Sequence, residues 1–378
     1  MPSTPSSNEW GFYRYAGKEW LNPHDALEDA TARGDRSPDI QFVMPAADRI
    51  DWTAEPAEAL ADLYRQRAQQ LRDAYDYLIL MYSGGSDSHQ AMMAFVNAGI
   101  HLDEVRTCYP VQWADKVAGT VGRDHPLGHL YEYHQAVVPG LRTLSLRSPR
   151  TTIKVVDTTD AYAGDMTEWH EVLPVQHRVT GGVHGLFVAN FRARIERELQ
   201  RDATAKRTGV IYGVDKPPLG LSGRELFVSF PDHWRMGVSH LWVGSGLFEP
   251  VMFYWGDLRI TCKQAHIIKR ALEQDARLIS DVDAHRRLIY PDWSWAYQER
   301  EGLHDSLLLR CAGDRVRAIA QERTRYYNNR YGGLGLSIED DPAAVKRRLR
   351  FLFACESPPY LVGELHAVQR PGHLPKRA

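Results

Sequence analysis

Between an apolar run, Tyr77 to Tyr82, and an amphipathic stretch ending at Gly99 stands the hexapeptide Ser83-Gly84-Gly85-Ser86-Asp87-Ser88. Six bulky residues flanked by polar ones predict a strand buried on both faces, as in a parallel sheet covered by helices. After the hexapeptide, Ala91, Met92, Phe95 and Val96 share one helical face, and Gly99 supplies the C-terminal stop. The order is therefore strand, glycine loop, helix. Two glycines let the backbone curl and approach a ligand closely, and successive N–H groups beside a positive helix end suit an anion. The expected ligand is a phosphate.

What is absent narrows the kind of loop. A Walker loop requires Gly-Lys-Ser/Thr, whereas the only Gly-Lys, Gly17-Lys18, continues with Glu19. No complete G-x-G-x-x-G follows a predicted strand, which argues against a dinucleotide fold. Ser83, Gly84, Gly85, Asp87 and Ser88 instead match S-G-G-x-D-S, and the segment resembles the PP-loop of the N-type ATP pyrophosphatases. The alternative is an ordinary Ser/Gly turn that caps a helix through Asp or Ser.

Downstream, strand and helix patterns alternate. Leu102 to Cys108 and Thr151 to Val156 read as strands, Tyr131 to Leu144 as a helix. Phe187, Phe191, Ile195 and Leu199 mark a further helix, followed by the strand Gly209 to Val214. Such alternation predicts an α/β chain with a doubly wound, mainly parallel sheet. The resemblance implies five strands in the order 3-2-1-4-5. Residues 1–70 read as an N-terminal wrapping segment without sustained period, ending in a helix from about Pro56. Residues 71–230 read as the nucleotide-binding domain, and 231–378 as a helical, basic C-terminal region.

In the resembling family the loop binds the β,γ-phosphates of ATP while a substrate oxygen attacks the α-phosphorus. Carried onto this chain, Ser83 and Ser88 would offer hydroxyls and Gly84, Gly85 and Ser86 backbone N–H groups. Asp87 would fix the loop and help to place Mg²⁺. A helix-end dipole contributes only ~0.3–2 kcal/mol, so cations must assist. Asp215-Lys216 follows a predicted strand at its C-terminal end, where ligands gather in open α/β sheets. Lys216 could stabilise charge on the α-phosphate or on leaving pyrophosphate, and Asp215 could hold Mg²⁺. An exposed Asp-Lys-Pro-Pro turn is the competing reading.

Lys263 is a third catalytic candidate. If Thr261 caps the helix bearing Ile267, Ile268, Ala271 and Leu272, Lys263 falls in its first turn, where a cation opposes the dipole unless an anion is bound. His125, His129 and His134, and His170-Glu171 with His177, lack metal-site spacing. Cys108, Cys262, Cys311 and Cys355 show no C-x-x-C, which argues against a local zinc or iron–sulfur knuckle.

Residues 300–378 carry 14 Lys/Arg against 9 Asp/Glu, so the basic excess of a chain whose net charge is −2 lies there. Arg323, Arg325, Tyr326, Tyr327, Arg330 and Tyr331, with Lys346-Arg347-Arg348, mix cations and aromatics as a nucleic-acid surface would. Alternatively, the second run is the solvated face of a helix capped by Asp341-Pro342.

Amide-forming relatives such as asparagine, GMP and NAD synthetases adenylate an oxygen and let a nitrogen nucleophile displace AMP. Pro2 stands where an asparagine synthetase-type glutaminase would have its cysteine, so the expected nitrogen source is ammonia, an amine or a separate subunit. Sulfonucleotide reductases of the same fold use E-C-G-x-H near the C-terminus, and Cys355-Glu356-Ser357 lacks the following Gly and His. The resemblance therefore favours an ATP-dependent, adenylating, ligase-like enzyme using ATP and Mg²⁺. The sulfur-transferring and non-catalytic nucleotide-binding classes are the alternatives. The acceptor is a small molecule or a nucleobase, with tRNA or DNA possible and a homodimer admissible. With no apolar run near ~18 residues and no leader pattern, the expected location is cytoplasmic, without membrane contact.

Overall fold

The computed structural model of the chain describes residues 11–20, 23–35, 38–117, 133–159, 207–213, 216–230, 248–293 and 357–365. At the N-terminal end, β1 (Phe12–Tyr15), β2 (Lys18–Trp20) and β3 (Gln41–Val43) form an antiparallel sheet ordered β2-β1-β3. Helix α1 (Pro23–Ala32) packs beside it. The tight β1–β2 turn is made by Ala16 and Gly17, both with positive φ. A wrapping segment rather than a sheet was expected here, because strands of three or four residues are too short to show an alternating period.

A short α2 (Pro45–Asp48) leads to α3 (Leu60–Ala74), which buries Leu63, Tyr64, Ala68 and Leu71. It starts at Leu60 rather than near Pro56. The preceding residues are held in turns, with the Asp51 carboxylate accepting from the Thr53 N–H at 3.0 Å.

The central sheet then begins with β4 (Tyr77–Met81), whose Leu78, Ile79 and Leu80 are buried. Helix α4 (Ser86–Ala98) follows, ended by Gly99 at φ 66°. Next come β5 (Glu104–Tyr109), α5 (Val111–Val117), a π-helical turn (Tyr133–Val137) continuing as α6 (Val138–Arg147), and β6 (Thr152–Asp157). Strand β7 (Thr208–Tyr212) is followed by a hairpin, β8 (Leu219–Ser222) and β9 (Glu225–Val228), and then by β10 (Phe248–Met252). Helices α7 (Leu258–Gln274) and α8 (Val282–Ile289) flank a 3₁₀ turn, Ala276–Ser280, and β11 (Tyr360–Glu364) is the last strand among the described residues.

The five central strands are ordered β10-β7-β4-β5-β6 and every pairing is parallel. Numbered by their place in this sheet, they run 5-4-1-2-3, the expected order read from the other edge. The fifth strand, however, comes from 248–252, beyond the boundary expected at residue 230. Strand β11 likewise pairs with β9 in a separate antiparallel sheet, β11-β9-β8. The region after 230 therefore contributes strands as well as helices. Phe248-Glu249-Pro250-Val251-Met252 has only a short apolar signal and a central proline, which is tolerated because β10 is an edge strand.

Helix α3 packs on both α4 and α7. Its Arg67, only 8% exposed, donates to the carbonyls of Met252 at 2.8 Å and Phe253 at 3.1 Å. Burial pulls this guanidinium down to about 10. Among the described residues no helix is long and apolar enough to cross a membrane. The helix expected around Phe187 to Leu199 and the basic stretches 323–331 and 346–350 lie outside the described residues.

Candidate active site

The loop leaves the carboxyl end of β4, the strand from which connections depart in opposite directions along the sheet. This is the switch point at which open α/β sheets leave a crevice. Gly84 sits at φ 82°, and a Cβ there would fall 2.7 Å from the Val137 side chain. Both the dihedral and the close approach demand glycine. Ser88 Oγ accepts from the Ser83 N–H at 3.2 Å and donates to the Gly85 carbonyl at 3.1 Å. The two serine hydroxyls are 3.1 Å apart, and the Gly85 N–H donates to Ser83 Oγ at 3.3 Å. The loop is thus closed upon itself by its own hydrogen bonds.

Gly85 precedes helix α4 as its cap residue and has no side chain to offer the first-turn N–H groups. Capping by Asp or Ser, the ordinary-turn reading, is not what the loop does. A helix start left in this way suits an anion. The end of β7 closes one side: a Cβ on Gly213 would lie 2.6 Å from Ser88 Cα and 2.7 Å from the Asp87 carbonyl oxygen.

Beneath the loop is a cluster of buried tyrosines that sequence reading missed. Tyr290 donates to Asp87 Oδ1 at 2.6 Å, and Tyr254 donates to the Asp87 carbonyl at 2.7 Å. Their rings are 5.6 Å apart, and Tyr254 meets Tyr64 edge-on at 6.1 Å. Tyr64 donates to the Ile289 carbonyl at 2.6 Å and accepts from Gln264 at 2.9 Å. Burial first, and then the Asp87 charge, holds the Tyr290 phenol well above its ordinary range, so it remains a donor.

The segment after α8 grips α4 at further points. Asp292 Oδ2 accepts from Gln90 at 3.1 Å and Asn97 at 3.0 Å, and the Asp292 N–H donates to Gln90 at 3.2 Å. Trp293 meets the His89 ring edge-on at 5.6 Å. His89 Nδ1 is 3.0 Å from the Tyr82 hydroxyl. Separations of 167 and 203 residues leave no local trace of the two contacts to Asp87. Only the aromatic density of Phe253-Tyr254-Trp255 and of Tyr290-Pro291-Asp292-Trp293 marks the two segments in sequence.

The remaining candidates separate. Asp215 lies outside the described residues. Lys216 is half-buried just past β7 and acts electrostatically on His285 of α8. His285 is 7% exposed and its Nε2 has no hydrogen-bond partner. Burial, with a smaller contribution from Lys216, holds its imidazole below the ordinary value.

Lys263 is taken elsewhere: its ammonium lies 2.7 Å from Glu55 and donates to the Pro56 carbonyl at 2.9 Å. Asp257, not Thr261, caps α7, accepting from the Arg259 N–H at 3.2 Å. Lys263 therefore stands past the first turn, beyond the reach of the dipole argument that singled it out. Thr261 is itself fully buried in the helix.

Among the described residues no group of three or more His, Cys, Asp or Glu could hold a metal ion. The donor set at the loop, one carboxylate beside an uncapped helix start, instead fits Mg²⁺ that arrives on phosphate oxygens, since Mg²⁺ needs only one or two protein carboxylates. His134 faces Asp115 at 3.0 Å. Cys262 is buried, its thiol pushed up to about 12 by burial, and so is a poor nucleophile. Cys311 and Cys355 lie outside the described residues.

No family model matches the chain. No curated protein matches it either.

Proposed function

We propose that the chain binds MgATP at Ser83–Ser88 and cleaves it between the α- and β-phosphates, adenylating an oxygen of an acceptor that a nitrogen nucleophile then attacks. The observation that carries this reading is the placement of an uncapped, glycine-shaped S-G-G-x-D-S loop at the switch point of a parallel sheet ordered β10-β7-β4-β5-β6.

In this reading the first-turn N–H groups of α4 and the hydroxyls of Ser83 and Ser88 bind the β,γ-phosphates. Asp87 and Asp215 would hold Mg²⁺, which offsets phosphate charge when bound. Lys216, beyond the end of β7, stabilises charge developing on the α-phosphate or on departing pyrophosphate. The acceptor oxygen forms its bond to the α-phosphorus as the bond to the bridging oxygen of pyrophosphate breaks. The nitrogen nucleophile then displaces AMP.

The test is incubation with α-labelled MgATP and pools of amino acids, nucleosides, tRNA and DNA, resolving AMP from ADP. AMP with pyrophosphate, stimulated by one pool, is the expected result. Asp87→Ala should abolish pyrophosphate release in a chain that still folds. ADP as product, or undiminished turnover in D87A, would reject the assignment.

A further inference from the structure

Asp87 is the one loop residue whose backbone and side chain are both bonded by residues more than 160 positions away. Tyr290, fully buried, spends its hydroxyl on the carboxylate rather than on a backbone carbonyl. It is also the pivot of a segment fixed on both sides. Tyr64 holds the Ile289 carbonyl before it, and Asp292 and Trp293 hold α4 after it. A buried phenol set so rigidly against an acidic group has the character of the outer-shell partners that orient metal-binding carboxylates.

We infer that Tyr290 is a positioning residue: its hydroxyl fixes the Asp87 carboxylate for the Mg²⁺ that accompanies the nucleotide phosphates. The inference rests on the nucleotide reading above and adds to it a coupling between the loop and the segment 281–293. The phenol neutralises no charge. It removes the rotational freedom of the carboxylate, so its loss is felt where Asp87 must meet a cation.

Calorimetric titration of ATP into wild-type and Tyr290→Phe protein at stepped Mg²⁺ concentrations tests this without recourse to turnover. In Y290F the Mg²⁺ concentration for half-maximal ATP binding should rise about tenfold or more, the usual cost of losing an outer-shell partner. ATP affinity at saturating Mg²⁺, and ATP binding in EDTA, should change less than about twofold, since the phosphate-binding N–H groups are untouched. A folded Y290F with an unchanged Mg²⁺ requirement overturns the inference and leaves the nucleotide reading standing. Failure of the wild-type chain to bind ATP at any Mg²⁺ concentration overturns the reading and the inference together.

Should Y290F not fold, hydrogen exchange in the wild type decides. MgATP should slow the amides of residues 286–293 at least threefold relative to ATP with EDTA, and equal rates would overturn the inference.

Discussion

Gly84 shows how one position carries both the fold and the chemistry. Its positive φ and the Val137 side chain each exclude a Cβ, so Gly84→Ala should cost ~1–3 kcal/mol of stability through backbone strain and overpacking. The same change should abolish ATP binding, because relieving the clash moves the N–H groups that would face the phosphates. Urea melts and ATP titration on G84A check the two halves separately. Lys216 makes a different prediction. If its charge acts on the transition state, Lys216→Ala should lower turnover by ~10²-fold with little change in ATP affinity, as for loss of one transition-state donor. Normal turnover in a folded K216A would remove it from the mechanism. The hydrogen bonds that close the loop could be read from the motif because they join residues within five positions. The Tyr290 and Tyr254 contacts could not.

At the scale of elements, the strands and helices nearest the loop were the most legible. Leu78 to Leu80 and the Ala91, Met92, Phe95, Val96 face are buried as their patterns require. Helix starts were less so: Thr261 has the chemistry of a cap, but Asp257 is where the chain turns into α7. Removing that cap by Asp257→Ala should cost ~1 kcal/mol, which thermal melts would register as a small fall in Tm. Arg67 joins elements more strongly. Its guanidinium satisfies two carbonyls at the end of β10, so Arg67→Met should cost ~2–5 kcal/mol by leaving buried acceptors without donors. A loss below ~1 kcal/mol in denaturant melts would mean that water reaches those carbonyls.

For the molecule as a whole, three buried or half-buried histidines should contribute to the response to acid. His89, His266 and His285 are all held below the ordinary value of 6.5, with burial as the leading cause in each. As pH falls through about 6.5 the unfolded chain takes up protons on these residues while the folded chain resists, so stability drops with acidification and levels off above that pH. Tm should therefore fall between pH 7.5 and pH 5.5, and His266→Gln should flatten the dependence. An unchanged slope would assign the acid response to other groups. The glycine loop, its flanking strand and helix, and the parallel α/β class were legible in the residues alone, because burial period and turn chemistry act over a few residues. Long-range packing was needed to bring 248–252 into the sheet, to pair Glu55 with Lys263 and to set Tyr290 against Asp87. Those choices depend on which distant surfaces the packed chain brings within 3 Å, and no local pattern encodes that distance.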